Sequence, residues 1–126
     1  MIRILLADDH NQVRKALREI LEDRKGWEIC GEASNGREAV ELALKLKPDI
    51  AILDLAMPEL NGIEATRQIR SAAPGIDVLI YTMFDSEEIA LGAREAGARK
   101  VLRKSGDELE IVEAIEEIAR ERAEVG

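Results

Sequence analysis

Aromatic residues are nearly absent: Trp27, Tyr81 and Phe84 are the whole complement, 2% of 126 residues. Any core must therefore be aliphatic. Cysteine occurs once, at Cys30, which excludes an internal disulfide. Cys30 lies in a strand-like run and reads as a small buried hydrophobe rather than a nucleophile. No apolar run is long enough to span a bilayer, and Met1–Leu6 is too short for a signal peptide. A cytoplasmic chain with no membrane partner is expected. Positive charge is in deficit, with 18 Lys and Arg against 26 Asp and Glu, a formal net charge of -8. That balance argues against direct nucleic acid binding by this chain, since such binders carry a basic patch. It does not argue against a fused DNA-binding domain. The remainder is an ordinary globular mixture, 46% hydrophobic and 35% charged, which excludes a disordered chain. The length fits one domain, residues 1–126.

Strand-like and helical patterns alternate. The strand-like runs are Ile2–Ala7, Trp27–Ala33, Ile50–Leu53, Val78–Tyr81 and Lys100–Arg103. Those beginning at Ile2, Ile50 and Val78 are almost continuously apolar, as parallel strands covered on both faces are. Helical stripes lie between them: Val13, Leu17, Ile20 and Leu21; Ala39, Ala43 and Leu46; Leu109, Val112, Ile115 and Ile118. Asn35 with Glu38, Asn61 with Glu64, Asp85 with Glu88 and Ser105 with Glu108 have capping-box spacing. Gly26, Pro48, Pro74-Gly75 and Gly97 mark stops. Five strand-then-helix units predict an α/β fold with a doubly wound, five-stranded parallel sheet and helices on both faces. The flavodoxin-like order 2-1-3-4-5 suits best, with the apolar first strand inside and the mixed second at an edge.

In such sheets the ligand site lies beyond the carboxyl ends of the strands. Strand one ends in Asp8-Asp9, strand three in Asp54, strand four in Thr82 and strand five in Lys104. The expected order gathers these five residues on one edge. Carboxylates that close repel, and one takes up a proton unless a cation intervenes. A hard divalent ion resolves the conflict, and Mg2+ fits because it uses one or two carboxylates and accepts phosphate oxygens. The His and Cys ligands of zinc or copper sites are missing from this set. A carboxylate beside such an ion can act as a nucleophile and form an aspartyl phosphate. Taken singly, Asp8 or Asp9 reads as a helix cap and Thr82 or Lys104 as an ordinary surface residue; the set of five is what points to phosphoryl chemistry. His10, the only histidine, reads as a helix-start residue rather than a phosphoryl carrier. Trp27 and Tyr81 read as packing residues, and the Glu-rich tail as a solvated helix face with a Glu116–Arg120 pair.

At these residues the chain resembles the receiver domains of bacterial two-component systems. The matching segments are Leu5-Leu6-Ala7-Asp8-Asp9-His10, residues 54–62, Tyr81-Thr82 and Arg103-Lys104. Ala7-Asp8-Asp9-His10, Gly31-Glu32-Ala33 and Glu95-Ala96-Gly97-Ala98 are most similar to the NarL/FixJ (LuxR-type) subgroup. The resemblance implies that Asp54 is the phosphoacceptor for a sensor histidine kinase. It implies Mg2+ on Asp9, Asp54 and the backbone carbonyl of Ala56, with Asp8 acting through water. Lys104 would bridge to the phosphoryl group, and Thr82 would move toward it and draw the following loop. A switch of this kind often leads to a homodimer. The protein would be a phosphoacceptor switch rather than an enzyme, catalysing only its own phosphoryl transfer and dephosphorylation.

The sequence also departs from the family. An aromatic residue is common three positions before the lysine; here Val101 stands there, so coupling has to run through the loop after Thr82. Ser105 follows the lysine where many members have proline, and Met83 stands where many have a small residue. Ala56 and Phe84 occupy positions that tune phosphate lifetime, and neither can orient an attacking water; autodephosphorylation over hours is expected. A haloacid-dehalogenase-type phosphatase would need a second Asp at position 56, which is Ala. A receiver-like module that binds partners without phosphorylation is the alternative reading, and the intact five-residue set argues against it. The subgroup resemblance implies a helix-turn-helix DNA-binding domain beyond Val125-Gly126, so the chain is expected to be either a receiver excised from a longer regulator, which is the preferred reading, or a stand-alone one.

Overall fold

A computed structural model describes residues 1–84 and 86–125. Strands and helices alternate in the order β1 (Ile2–Ala7), α1 (Asn11–Glu22), β2 (Trp27–Ala33), α2 (Gly36–Leu46), β3 (Ile50–Leu53), α3 (Gly62–Ala72), β4 (Asp77–Thr82), α4 (Glu87–Glu95), β5 (Lys100–Arg103) and α5 (Glu108–Val125). The strands are parallel and lie in the order β2-β1-β3-β4-β5, as expected. β4 is one residue longer at each end than its apolar run. At its start, the Asp77 N–H reaches the Asp49 carbonyl at 3.0 Å.

The apolar runs explain which strands sit inside. All four residues of β3 are buried, and successive side chains enter opposite cores. Ala51 and Leu53 join Leu5, Ala7, Val78 and Ile80 beneath Ala39 and Ala43 of α2, Ile69 of α3 and Ala93 of α4. Ile50 and Ile52 join Ile4, Leu6 and Leu79 beneath Leu17 and Leu21 of α1 and Ile111, Ile115 and Ile118 of α5. Cys30 is half-buried, and Trp27 and Tyr81 pack at the border of this second core. Arg24 lies over the Trp27 ring, 5.4 Å from its centre, and also pairs with Glu116 at 2.6 Å.

Two of the helix starts form as expected. Asn35 accepts from the Glu38 N–H at 2.8 Å and Asn61 from the Glu64 N–H at 2.9 Å. At α4 the cap is the Ser86 hydroxyl, which accepts from Ile89; the expected cap Asp85 lies outside the described residues. At α5 the Ser105–Glu108 box is replaced. Residues 103–106 are used up in a turn closed by the Gly106 N–H on the Arg103 carbonyl, and Asp107 accepts from the Leu109 N–H at 2.9 Å. The stripe of α5 is likewise offset from the expected one. Leu109 is 57% exposed, because it falls about 200° round the helix from Ile111, which faces the sheet.

The end of the sheet opposite the strand tips is tied by Arg122. Its guanidinium bonds Asp49 Oδ1 at 3.2 Å, the Asp49 carbonyl at 2.8 Å, the Gly75 carbonyl at 2.5 Å and Asp77 Oδ2 at 3.2 Å. This fastens the last turns of α5 to the entries of β3 and β4.

Candidate functional site

Asp8, Asp54 and Lys104 are each the first residue past a strand, and each backbone is held by one further rung. The Asp8 N–H reaches the Ala33 carbonyl at 3.0 Å, Asp54 that of Ala7 at 2.9 Å, and Lys104 that of Thr82 at 2.8 Å. Behind Asp54 the chain turns back against two glycines. A Cβ on Gly62 would lie 2.3 Å from the Asp54 carbonyl oxygen, and one on Gly36 would lie 1.7 Å from that of Leu60. Only glycine permits so close an approach, and the Gly62 N–H bonds the Leu55 carbonyl at 2.8 Å.

The side chains converge as expected from their strand ends. One ligand atom each from Asp8, Asp9, His10 and Asp54 lies within 4.8 Å of all the others. Lys104 Nζ reaches into this group, 2.6 Å from Asp8 Oδ2 and 3.4 Å from Asp54 Oδ2. The side chains of Asp8, Asp54 and Lys104 are each no more than 8% exposed. Asp8 divides its carboxylate: one oxygen takes Lys104, while the other accepts the His10 backbone N–H at 2.8 Å. Burial pushes the Asp54 carboxyl above its usual range. The Lys104 ammonium opposes that shift and the Asp8 carboxylate adds to it, with a net upward result. Three carboxylates, those of Asp8, Asp9 and Asp54, thus stand in the group that one lysine ammonium enters.

Thr82 is fully buried at the neighbouring strand end, where its hydroxyl accepts the Phe84 N–H at 3.1 Å. Met83 and Phe84 are exposed, as is Ala56 on the loop after Asp54. Val101 is partly buried; it pairs with Ile80 and packs against the core under α2, α3 and α4.

Sequence reasoning missed one neighbour, Arg14, and read another, His10, only as a helix-start residue. Arg14 Nη1 donates to the Asp8 carbonyl at 2.5 Å while its Nε bonds Glu32 at 3.0 Å, bracing the acidic turn from α1. Nothing local in the sequence marks this contact, since Glu32 comes from another strand. His10 occupies the N-cap position of α1 without capping it; its Nδ1 instead faces Asp9 Oδ1 at 3.1 Å and Asp8 Oδ1 at 3.4 Å. Its place directly after Asp8-Asp9 was the available signal.

The family model of the response regulator receiver domain matches residues 4–116. The transcriptional regulatory protein LiaR of Bacillus subtilis is 42% identical over 91% of this chain and 54% of its own length, so this chain spans about half of that relative. The chemotaxis protein CheY of Thermotoga maritima is 36% identical over 94% of this chain and 98% of its own. The signal receiver domain of the response regulator NarL from Mycobacterium tuberculosis superposes with a TM-score of 0.89 at 31% identity, covering 94% of this chain and 96% of that one. The matches cover nearly the whole chain, and the chain belongs to the receiver domains of two-component response regulators, related to those of the LuxR and NarL type.

Proposed function

We propose that Asp54 takes a phosphoryl group from the phosphohistidine of a sensor kinase and that the charge change switches the domain. The observation that carries this reading is the placement of Lys104 Nζ between Asp8 and Asp54 within one shared group of carboxylates. One oxygen of Asp54 attacks phosphorus, the P–N bond breaks, and the histidine nitrogen leaves with the electron pair. The product is an acyl phosphate. Lys104 then faces a phosphoryl oxygen in place of the lost carboxylate charge. Thr82 would turn its hydroxyl toward a phosphoryl oxygen and donate to it; because the same oxygen accepts the Phe84 N–H, that movement would draw on the loop after β4. Val101, packed in its core, supports a route through that loop rather than through an aromatic swing.

The donor set fits Mg2+: oxygens of three clustered carboxylates, Asp8, Asp9 and Asp54, with a single lysine ammonium to balance them. Asp9, Asp54 and the Ala56 carbonyl would hold the ion, with Asp8 acting through water. When bound, it supplies neutralisation of the transferring phosphoryl oxygens. The domain, residues 1–126, is in this reading a switch that catalyses only its own phosphorylation and dephosphorylation. It would work in the cytoplasm and dimerise when switched, and it would drive an output domain that binds DNA; its own net charge of -8 is unsuited to that contact.

The test is incubation with acetyl phosphate and Mg2+ followed by intact mass. A gain of one phosphoryl group, absent in Asp54→Asn, is expected. No gain would leave a module that binds partners without phosphorylation.

A further inference from the structure

The metal reading above assigns no part to His10, yet the ring belongs to the same group. We propose that His10 Nδ1 gives this acidic site a nitrogen ligand, so that it takes a zinc- or cobalt-class divalent ion through a contact that Mg2+ does not use. The inference rests on the reading that the acidic group holds a metal ion, and it names the residue that sets which ions enter.

The geometry argues for it. An ion about 2.1 Å from each ligand atom sets adjacent ligands about 3 Å apart and opposite ones about 4.2 Å apart. His10 Nδ1 lies 3.1 Å from Asp9 Oδ1 and 3.4 Å from Asp8 Oδ1, the spacing of adjacent ligands. The whole set of four closes within 4.8 Å, so small side-chain rotations complete the shell. The backbone already directs the ring there, because the His10 N–H bonds the Asp8 carboxylate at 2.8 Å in a tight turn. His10 has no competing task at the helix start, since its side chain makes no cap hydrogen bond. The imidazole is mostly exposed, so an arriving ion meets it first.

Chemistry supplies the selectivity. Imidazole suits Zn2+, Co2+ and Ni2+, whereas Mg2+ prefers oxygen ligands and retained water. Asp9 with Asp54 serves both classes; only His10 separates them. A zinc-class ion held this way would compete with Mg2+ for the phosphorylation site and make phosphoryl uptake sensitive to transition metal.

The chain has one histidine, so its imidazole nitrogens give unambiguous signals in a 15N-labelled sample. Zn2+ is expected to move the His10 Nδ1 signal, and Mg2+ to leave it in place. By calorimetry, His10→Ala should weaken Zn2+ at least about tenfold, the lower end of what even outer partners of a metal ligand contribute, with Mg2+ affinity held within about twofold. Cys30→Ser should keep the Zn2+ response, which excludes the lone thiol as its source. His10 is a surface residue, and far-UV circular dichroism of His10→Ala and His10→Gln checks the fold. A Zn2+ shift confined to Nε2, no shift at all, or unchanged Zn2+ affinity in His10→Ala overturns the proposal. Phosphorylation of the same samples separates the two readings. A chain that gains phosphate with Mg2+ but shows no Nδ1 shift refutes only the role of His10. A chain that shows the shift but gains no phosphate keeps the metal ligand and refutes the phosphoacceptor.

Discussion

Replacing Gly62 with alanine tests how far the site depends on backbone contact. The new Cβ would lie 2.3 Å from the Asp54 carbonyl oxygen and 2.9 Å from Leu55 Cα. Ordinary contact needs about 3.4 Å or more, so the two segments must part by roughly an ångström. Both are backbone, so no side chain can rotate away. Overpacking of this kind costs about 1–3 kcal/mol, while the gain in helix propensity on replacing glycine returns at most about 1 kcal/mol. A net loss of about 1–2 kcal/mol is expected, which lowers Tm by roughly 3–8 °C in a domain of this size. The same shift moves the Asp54 carboxylate away from Lys104, so the rate of phosphorylation should fall with stability. Gly75→Ala is the internal control. Nothing lies within 4 Å of its Cβ position and its φ is not positive, so it should be neutral or stabilising by up to about 1 kcal/mol. Urea melts and acetyl phosphate uptake by intact mass measure both effects. A Gly62→Ala protein as stable and as readily phosphorylated as the wild type would refute the reasoning.

The other expected outcomes follow from charge and contact. Asp54 has a folded-state pKa raised above its unfolded value, so its contribution to stability is present at low pH and is lost as pH rises through the folded value. In EDTA, Asp54→Asn should therefore raise Tm near pH 7, and the gain should vanish as pH falls toward about 4; a constant difference across that range would be the contrary result. Lys104→Met leaves Asp8 and Asp54 buried without their counter-charge, a loss of about 3 kcal/mol in EDTA that added Mg2+ should partly restore, as read by urea melts with and without the ion. Arg122→Leu removes four hydrogen bonds at the far end of the sheet. About 1–2 kcal/mol should be lost in urea, with the rate of phosphate uptake per folded molecule unchanged. Phospho-Asp54 should persist for hours with Mg2+, given Ala56 and Phe84; decay within a minute by intact mass would contradict their assigned effect.

The site was legible because its chemistry sits at strand ends. Short, almost continuously apolar runs located most of the ends, right-handed crossovers restricted their order, and the order brought Asp8, Asp54 and Lys104 together. What escaped depends on contacts between distant segments. Arg14 acquires its role from Glu32 on β2, and Gly36 its necessity from Leu60 on the loop after β3. The start of α5 was misplaced because Ser105 and Asp107 both suit a cap, and the turn at residues 103–106 decides between them. Leu109 then fell off the core stripe, a one-residue matter of helical angle that apolar spacing alone does not resolve.

The amides of Asp8, Asp54 and Lys104 hang on carbonyls of adjoining strands. To displace any of those three main chains, a strand must first begin to unzip. The tip of the sheet that carries these residues is therefore a stiff platform, and in the proposed switch added charge would be absorbed by torsion of side chains and by the segments beyond them. These three protons should exchange with deuterated solvent more slowly than unbonded amides of the loops that follow them.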